Sequence, residues 1–281
     1  IEEILRIYGY NTVGMTGRIN ASLSINPKPD AHKLQERIAD LLSSSGFNEA
    51  MCNSLTKASY TNGIESLKKE AQISLLNPLS QDLNALRQTL LFGGLESLAY
   101  NINRKKADIL LYEFGKTYNK FGEKHHEERH LALWSTGKKQ ASNWNSSKDK
   151  VDFFYLKGIV EKILKRLGLN DGISLSPIQN DFYAEGLVYK IRKKKVVEIG
   201  NVRSSILKPF GIKQDVYYAD LNWEAILELL KDQKITYKEV SKYPEVKRDL
   251  ALLLDNEVLF SELEAISLRT DKNILKKVSL F

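Results

Sequence analysis

The 281-residue chain is 42% hydrophobic and carries a formal net charge of +7. That fits one large folded domain, or one with a small companion, and excludes global disorder. No apolar run approaches the roughly 20 residues a membrane-spanning helix needs, and the single cysteine, Cys52, excludes an internal disulfide or a cysteine-based zinc site and fits a reducing, cytoplasmic setting.

The chain opens on Ile1-Glu2-Glu3 within a helical pattern, with Ile1, Ile4, Leu5 and Tyr8 on one side and Gly9 as the stop. Pro27 and Pro29 mark a linker. Asp30 is the expected N-cap of a helix whose face is Leu34, Ile38, Leu41 and Leu42 and whose end is Gly46. Residues 47–55 and 75–79 read as extended segments. Residues 91–102 return to helical spacing, and Gly93-Gly94 requires a turn or a close approach of backbone.

Strands are predicted over 107–118 and 130–135, which are rich in branched and aromatic residues. The polar insert "NKFGEKHHEER" between them reads as a loop. A helix follows over 151–167, closed by Gly168. Residues 182–191 and 196–202 form an expected hairpin around Lys193-Lys194-Lys195, and 216–221 is one more strand. Beyond a charged connector at 231–238, strand-like 246–254, helical 259–268 and strand-like 274–281 suggest a β–α–β start of a separate small domain. Strands without strict β–α alternation argue for an α+β fold with a mostly antiparallel sheet. Both chain ends fall inside such patterns, so the expectation is an expressed fragment of a longer protein.

Familiar chemical motifs are few. Neither a G-x-x-x-x-G-K-[ST] loop nor a G-x-G-x-x-G fingerprint is present. His125 and His126 are neighbours in the charged insert, where plain solvation outweighs metal binding. Cys52 has no activating context and reads as inert. Lys193-Lys194-Lys195 would suit a phosphate contact, but a hairpin turn favours simple solvation. Trp134, Trp144 and Trp223 read as core or interface anchors. Basic residues are spread along the chain, which permits a nucleic-acid partner without requiring one.

Longer segments carry a resemblance. "IEEILRIYGYNTV", "GFNEAMCNSLT", "LLNPLSQDLNALRQTLLFGGLESLAYNINRK", "LYEFGKTY", "ERHLALWSTG", "DFFYLKGIVEKIL" and "SKYPEVKRDLALLLD" occur in this order. Together they resemble consecutive blocks of bacterial phenylalanyl-tRNA synthetase β subunits, over nearly the whole chain. The resemblance implies a class II synthetase-like antiparallel sheet flanked by helices, lacking catalytic residues, over 30–230. It also implies the end of a preceding helical domain over 1–15, a linker over 16–29, a connector over 231–241, and the first half of a ferredoxin-like anticodon-binding domain over 242–281.

The same resemblance places Glu2 and Glu3 on two ligands of a magnesium site shared with the α subunit, whose two aspartates would precede Ile1. Magnesium needs several oxygen ligands in octahedral array, so this pair alone holds it weakly. By analogy with active class II enzymes, Asn119 stands where an arginine grips the α-phosphate of ATP, and Phe121 where an acid follows it. Asparagine carries no charge and lacks the arginine fork, so no aminoacyl-adenylate chemistry is expected here. No catalytic residue or cofactor-binding residue is assigned to the chain. The implied partners are an α subunit, in an α2β2 assembly with the segment 86–103 as a candidate contact, and phenylalanine tRNA. Two other readings stay open: a stand-alone tRNA- or protein-binding module, and an inactive class II relative serving as a regulatory subunit.

Overall fold

A computed structural model describes the chain except residues 15, 16, 18–20, 22–28, 79, 141, 142, 146–148, 179, 232, 234–236, 238, 240, 241, 272, 273 and 281. The expected linker over 16–29 therefore lies almost wholly outside the described residues, as does much of the connector over 231–241. The chain divides into two units, Ile1–Lys234 and Ile235–Phe281.

The first unit begins with α1 (Glu2–Tyr8) and α2 (Ala31–Ser44). The Asp30 carboxylate accepts from the backbone N–H groups of His32 and Lys33, which is the expected N-cap. Residues 47–55 form no continuous strand. Only β1 (Asn48–Glu49) pairs there, and β2 (Leu55–Thr56) pairs separately with β3 (Ala85–Leu86). Between them the chain arches over the sheet, where loop hydrogen bonds replace a ladder. Helix α3 (Leu91–Ile102) follows.

Strands β4 (Ile109–Phe121) and β5 (Lys124–Thr136) make one long hairpin. This corrects the loop expected over "NKFGEKHHEER". Gly122, at φ 60, opens a two-residue turn with Glu123, a position that suits glycine. Beyond the Gly115↔His130 pair the hairpin runs past the β5–β9 ladder, which ends at His130↔Asn222. Its residues there are mostly polar and, apart from the buried Thr117, partly or fully exposed, so they carry no apolar alternation to read.

Helix α4 (Phe153–Arg166) starts on Asp152, whose carboxylate accepts from the Tyr155 N–H, and stops at Gly168 with φ 74. Then come β6 (Ile173–Pro177), β7 (Tyr183–Ile191), β8 (Lys194–Val202), the short α5 (Ser204–Leu207), β9 (Val216–Asn222) and α6 (Trp223–Lys231). Seven strands form one sheet in the order β1-β4-β5-β9-β8-β7-β6. All neighbours are antiparallel except β1 and β4.

Alternation splits this sheet into two faces. Leu110, Tyr112, Leu131, Leu133, Ile199 and Leu221 point into a core closed by α2, α4 and α6. Leu111, Ala132, Trp134, Tyr183 and Tyr218 point to the other side, where α3 and residues around Leu207 cover them. Trp134 and Trp223 are core anchors as expected, whereas Trp144 is 96% exposed and belongs to neither core.

In the second unit, α7 (Phe260–Thr270) is the expected helix. The strand-like runs at 246–254 and 274–280 are not strands among the described residues. A strand needs a neighbour to take its backbone hydrogen bonds, and no described residue of this unit supplies one.

Candidate functional site

The face of the sheet away from α4 is half apolar and half polar, and the polar half holds the chemistry. In-register pairs place the side chains: Glu113 opposite Ala132, Gly115 opposite His130, Ala132 opposite Asp220, and Asp220 opposite Glu198. All therefore project from one face.

Arg87 lies across this face. Its Nη1 donates to Glu113 Oε1 at 2.7 Å, its Nε to the Lys116 carbonyl at 3.0 Å and its Nη1 to the Cys52 carbonyl at 3.3 Å. The two side chains are 7% and 2% exposed. Gly115 makes room: a Cβ there would sit 2.5 Å from Arg87 Nη2. Gly94 does the same for Trp134, since a Cβ would lie 2.0 Å from the indole. Thus Gly93-Gly94 is a close approach of α3 to Cys52 and Trp134, not a phosphate loop. Burial, with Glu113 nearby, pushes the Cys52 thiol up to about 11, so it stays protonated and inert.

Beside this pair, His130 Nδ1 meets Asp220 Oδ1 at 2.6 Å, with Glu128 Oε2 3.7 Å from Nε2. Burial disfavours the imidazolium, yet the Asp220 charge and hydrogen bond, joined by Glu128, outweigh it and push His130 up to about 10. The neighbouring His130 in turn lowers Glu128. A cavity of about 120 Å³ opens here, lined by Glu128, His130, Glu198, Asp220 and Asn222 among others. Pockets for ligands of ordinary drug size run about 300–1,000 Å³. An open hollow of about 310 Å³ runs along the ribbon, but its Lys116–Glu127 and Arg129–Glu224 pairs already match its charges.

Asn119, the uncharged residue at the expected phosphate-gripping position, is on β4, and its Oδ1 accepts from Gln88 Nε2 at 2.9 Å. Phe121 ends the strand, 59% exposed. The guanidinium buried on this face belongs instead to Arg87, and Glu113 holds it. His125 and His126 are successive residues of β5 and point to opposite faces, so they do not converge on one ion. Lys194 and Lys195 lie in β8, paired with Glu228 and Glu198. Glu2 and Glu3 sit in the first turn of α1, exposed, with Glu3 3.7 Å from Arg6. No cluster of three or more His, Cys, Asp or Glu side chains able to hold a metal exists among the described residues, and no described helix is long and apolar enough to cross a membrane.

Sequence reasoning missed both buried pairs. The available signal was a lone charged residue inside an apolar strand: Glu113 in "ILLYEF" and Asp220 in "VYYADLN". Either must find a partner or abandon the strand.

A mostly antiparallel sheet with helices packed on both faces and a polar patch on one of them is a class II aminoacyl-tRNA synthetase-like fold. A pyrrolysyl-tRNA synthetase from Desulfitobacterium hafniense shares this fold, with a TM-score of 0.54 at 16% identity over 72% of this chain and 69% of that one. Residues 18–223 match the family described as phenylalanyl tRNA synthetase beta chain CLM domain, and the chain belongs to that family. Relatives include the phenylalanine–tRNA ligase β subunits of Bacteroides thetaiotaomicron, 46% identical, and Porphyromonas gingivalis, 41% identical, each matched over 100% of this chain. The chain covers 36% of either relative's length.

Proposed function

We propose that this chain is the inactive synthetase-like body of a phenylalanine–tRNA ligase β subunit, a scaffold for a catalytic α subunit in an α2β2 enzyme. The observation that carries the reading is the filled cleft. Arg87 is neutralised by Glu113 beneath the surface, Trp134 fills the space against α3, and Asn119 is tied to Gln88. Catalysis of adenylate formation needs fixed positive charge free to meet phosphate in a dry site, and the positive charge on this face is already taken.

In this reading, ATP, phenylalanine and the reaction belong to the partner, and the intact enzyme acts on phenylalanine tRNA in the cytoplasm. Most of the apolar face of α3 is buried in the chain's own core, so a partner contact over 86–103 would use outward residues such as Glu96 and Tyr100. Residues 1–15 would end a preceding helical domain and 242–281 would begin the ferredoxin-like anticodon-binding domain. Its two strands would form once the rest of that domain supplies their neighbours. Glu2 and Glu3 would give two carboxylates to a magnesium ion whose other ligands lie outside this chain; the ion, when bound, would tie the two subunits electrostatically. Similarity over the full chain to ligase β subunits favours this reading over a free-standing binding module.

The test is ATP–pyrophosphate exchange with phenylalanine. The full-length β protein should be silent alone, should co-purify with an α subunit, and should gain exchange only in that complex. Exchange by β alone would overturn the reading.

A further inference from the structure

We propose that the tip of the β7–β8 hairpin is a contact for the phosphate backbone of RNA. This assignment rests on the ligase reading above and adds to it a specific surface.

Three features of the tip oppose the fold, and each presents a cation. Arg192 and Lys193 form the two-residue turn that closes the Ile191↔Lys194 pair, with φ of 49° and 69°. Two consecutive left-handed residues make the turn for which Asn-Gly is the favoured sequence. Here both positions hold long cationic side chains. The other described non-glycine residue with positive φ is Lys105, just past the end of α3. There the helix dipole favours a cation, an explanation the hairpin turn itself lacks.

The third feature is a register pair. Lys190 stands directly opposite Lys195 across the ladder, and like charges so placed repel. Glu198 relieves Lys195, and Glu228 relieves Lys194. No acidic side chain reaches Lys190, Arg192 or Lys193 among the described residues, and all three are exposed. Local choices that oppose the fold mark functional sites.

The ligand class follows from the chemistry. The cavity of about 120 Å³ that Lys195 borders is lined by Glu128, Glu198 and Asp220 and is reached by none of Lys190, Arg192 and Lys193, and the turn presents no aromatic platform, so the tip suits neither a small molecule nor stacked bases. Ile191 is buried, which leaves no apolar residue there to enter a lipid surface. Exposed cations on long flexible stems suit repeated phosphates.

The test uses the full-length protein assembled with its α subunit, and a transcribed phenylalanine tRNA as probe. The Arg192→Asn/Lys193→Gly double variant gives the turn its favoured residues while removing two charges. Its unfolding temperature should rise by about 2–4 °C. Its Kd should rise about three- to tenfold, and the slope of log Kd against log salt should fall by about 1–2. A charge-matched control, Lys162→Gln/Lys165→Gln on exposed positions of α4, should leave both unchanged. Higher stability with unaltered affinity and slope would overturn the assignment, as would equal weakening by the control. Absence of tRNA binding by the unmodified α2β2 enzyme would defeat the ligase reading as well.

Discussion

One sheet buries its two faces by different means. Against α2, α4 and α6 the inward residues are apolar, and shape and area hold the layers together. On the opposite face, the apolar cluster around Trp134 and Tyr218 gives way to Arg87–Glu113 and His130–Asp220. The first face tolerates loss of any one side chain in proportion to the cavity left. The second carries charges that are stable only as pairs, so its failures should be abrupt. A cleft built for a nucleotide would keep its cations free; this one is closed by its own side chains.

That contrast can be broken by mutation. Glu113→Ala leaves a buried guanidinium without a counter-charge and should cost about 3–5 kcal/mol of stability in denaturant titration, whereas Arg87→Met/Glu113→Leu should return close to wild type. A loss below about 1 kcal/mol for the single change would mean that Arg87 escapes to water. On the helix-covered face, Leu133→Ala should cost about 2–5 kcal/mol through the cavity it leaves. Next in size is Gly94→Ala, whose methyl meets the Trp134 ring; overpacking of this kind costs about 1–3 kcal/mol. Wild-type stability there would show that α3 can lift off the sheet.

The same contrast carries a pH dependence. The folded-state pKa of His130, about 10, lies above the ordinary histidine value, so its contribution is complete below about pH 6.5 and is lost as pH rises through about 10. Stability should therefore fall steadily between pH 7 and 10. His130→Gln should start lower and remove this part of the slope. Identical pH profiles for the two proteins would contradict the pairing with Asp220.

Much of the fold is legible in the sequence because helix signals are local. Asp30, Gly46 and Gly168 sit where caps and stops belong, and the faces of α2 and α4 repeat with helical period. The β4–β5 ribbon escaped because charged residues on both of its faces erase alternation, although Gly122 marks its turn. The runs at 246–254 and 274–280 look extended, but pairing depends on neighbours that local pattern does not reveal. The candidate site was legible only in part. Resemblance drew attention to Asn119, which the structure ties to Gln88. Arg87 and Glu113 lie 26 residues apart, and His130 and Asp220 lie 90 apart. Only the sheet register brings each pair together.

The direct test of the closed cleft is equilibrium binding of ATP with magnesium to the full-length protein, separated from any α subunit, by calorimetry or dialysis. No saturable binding should appear up to millimolar nucleotide. Saturable binding that Arg87→Ala abolishes would show the guanidinium gripping phosphate instead of Glu113, and the scaffold account would fall.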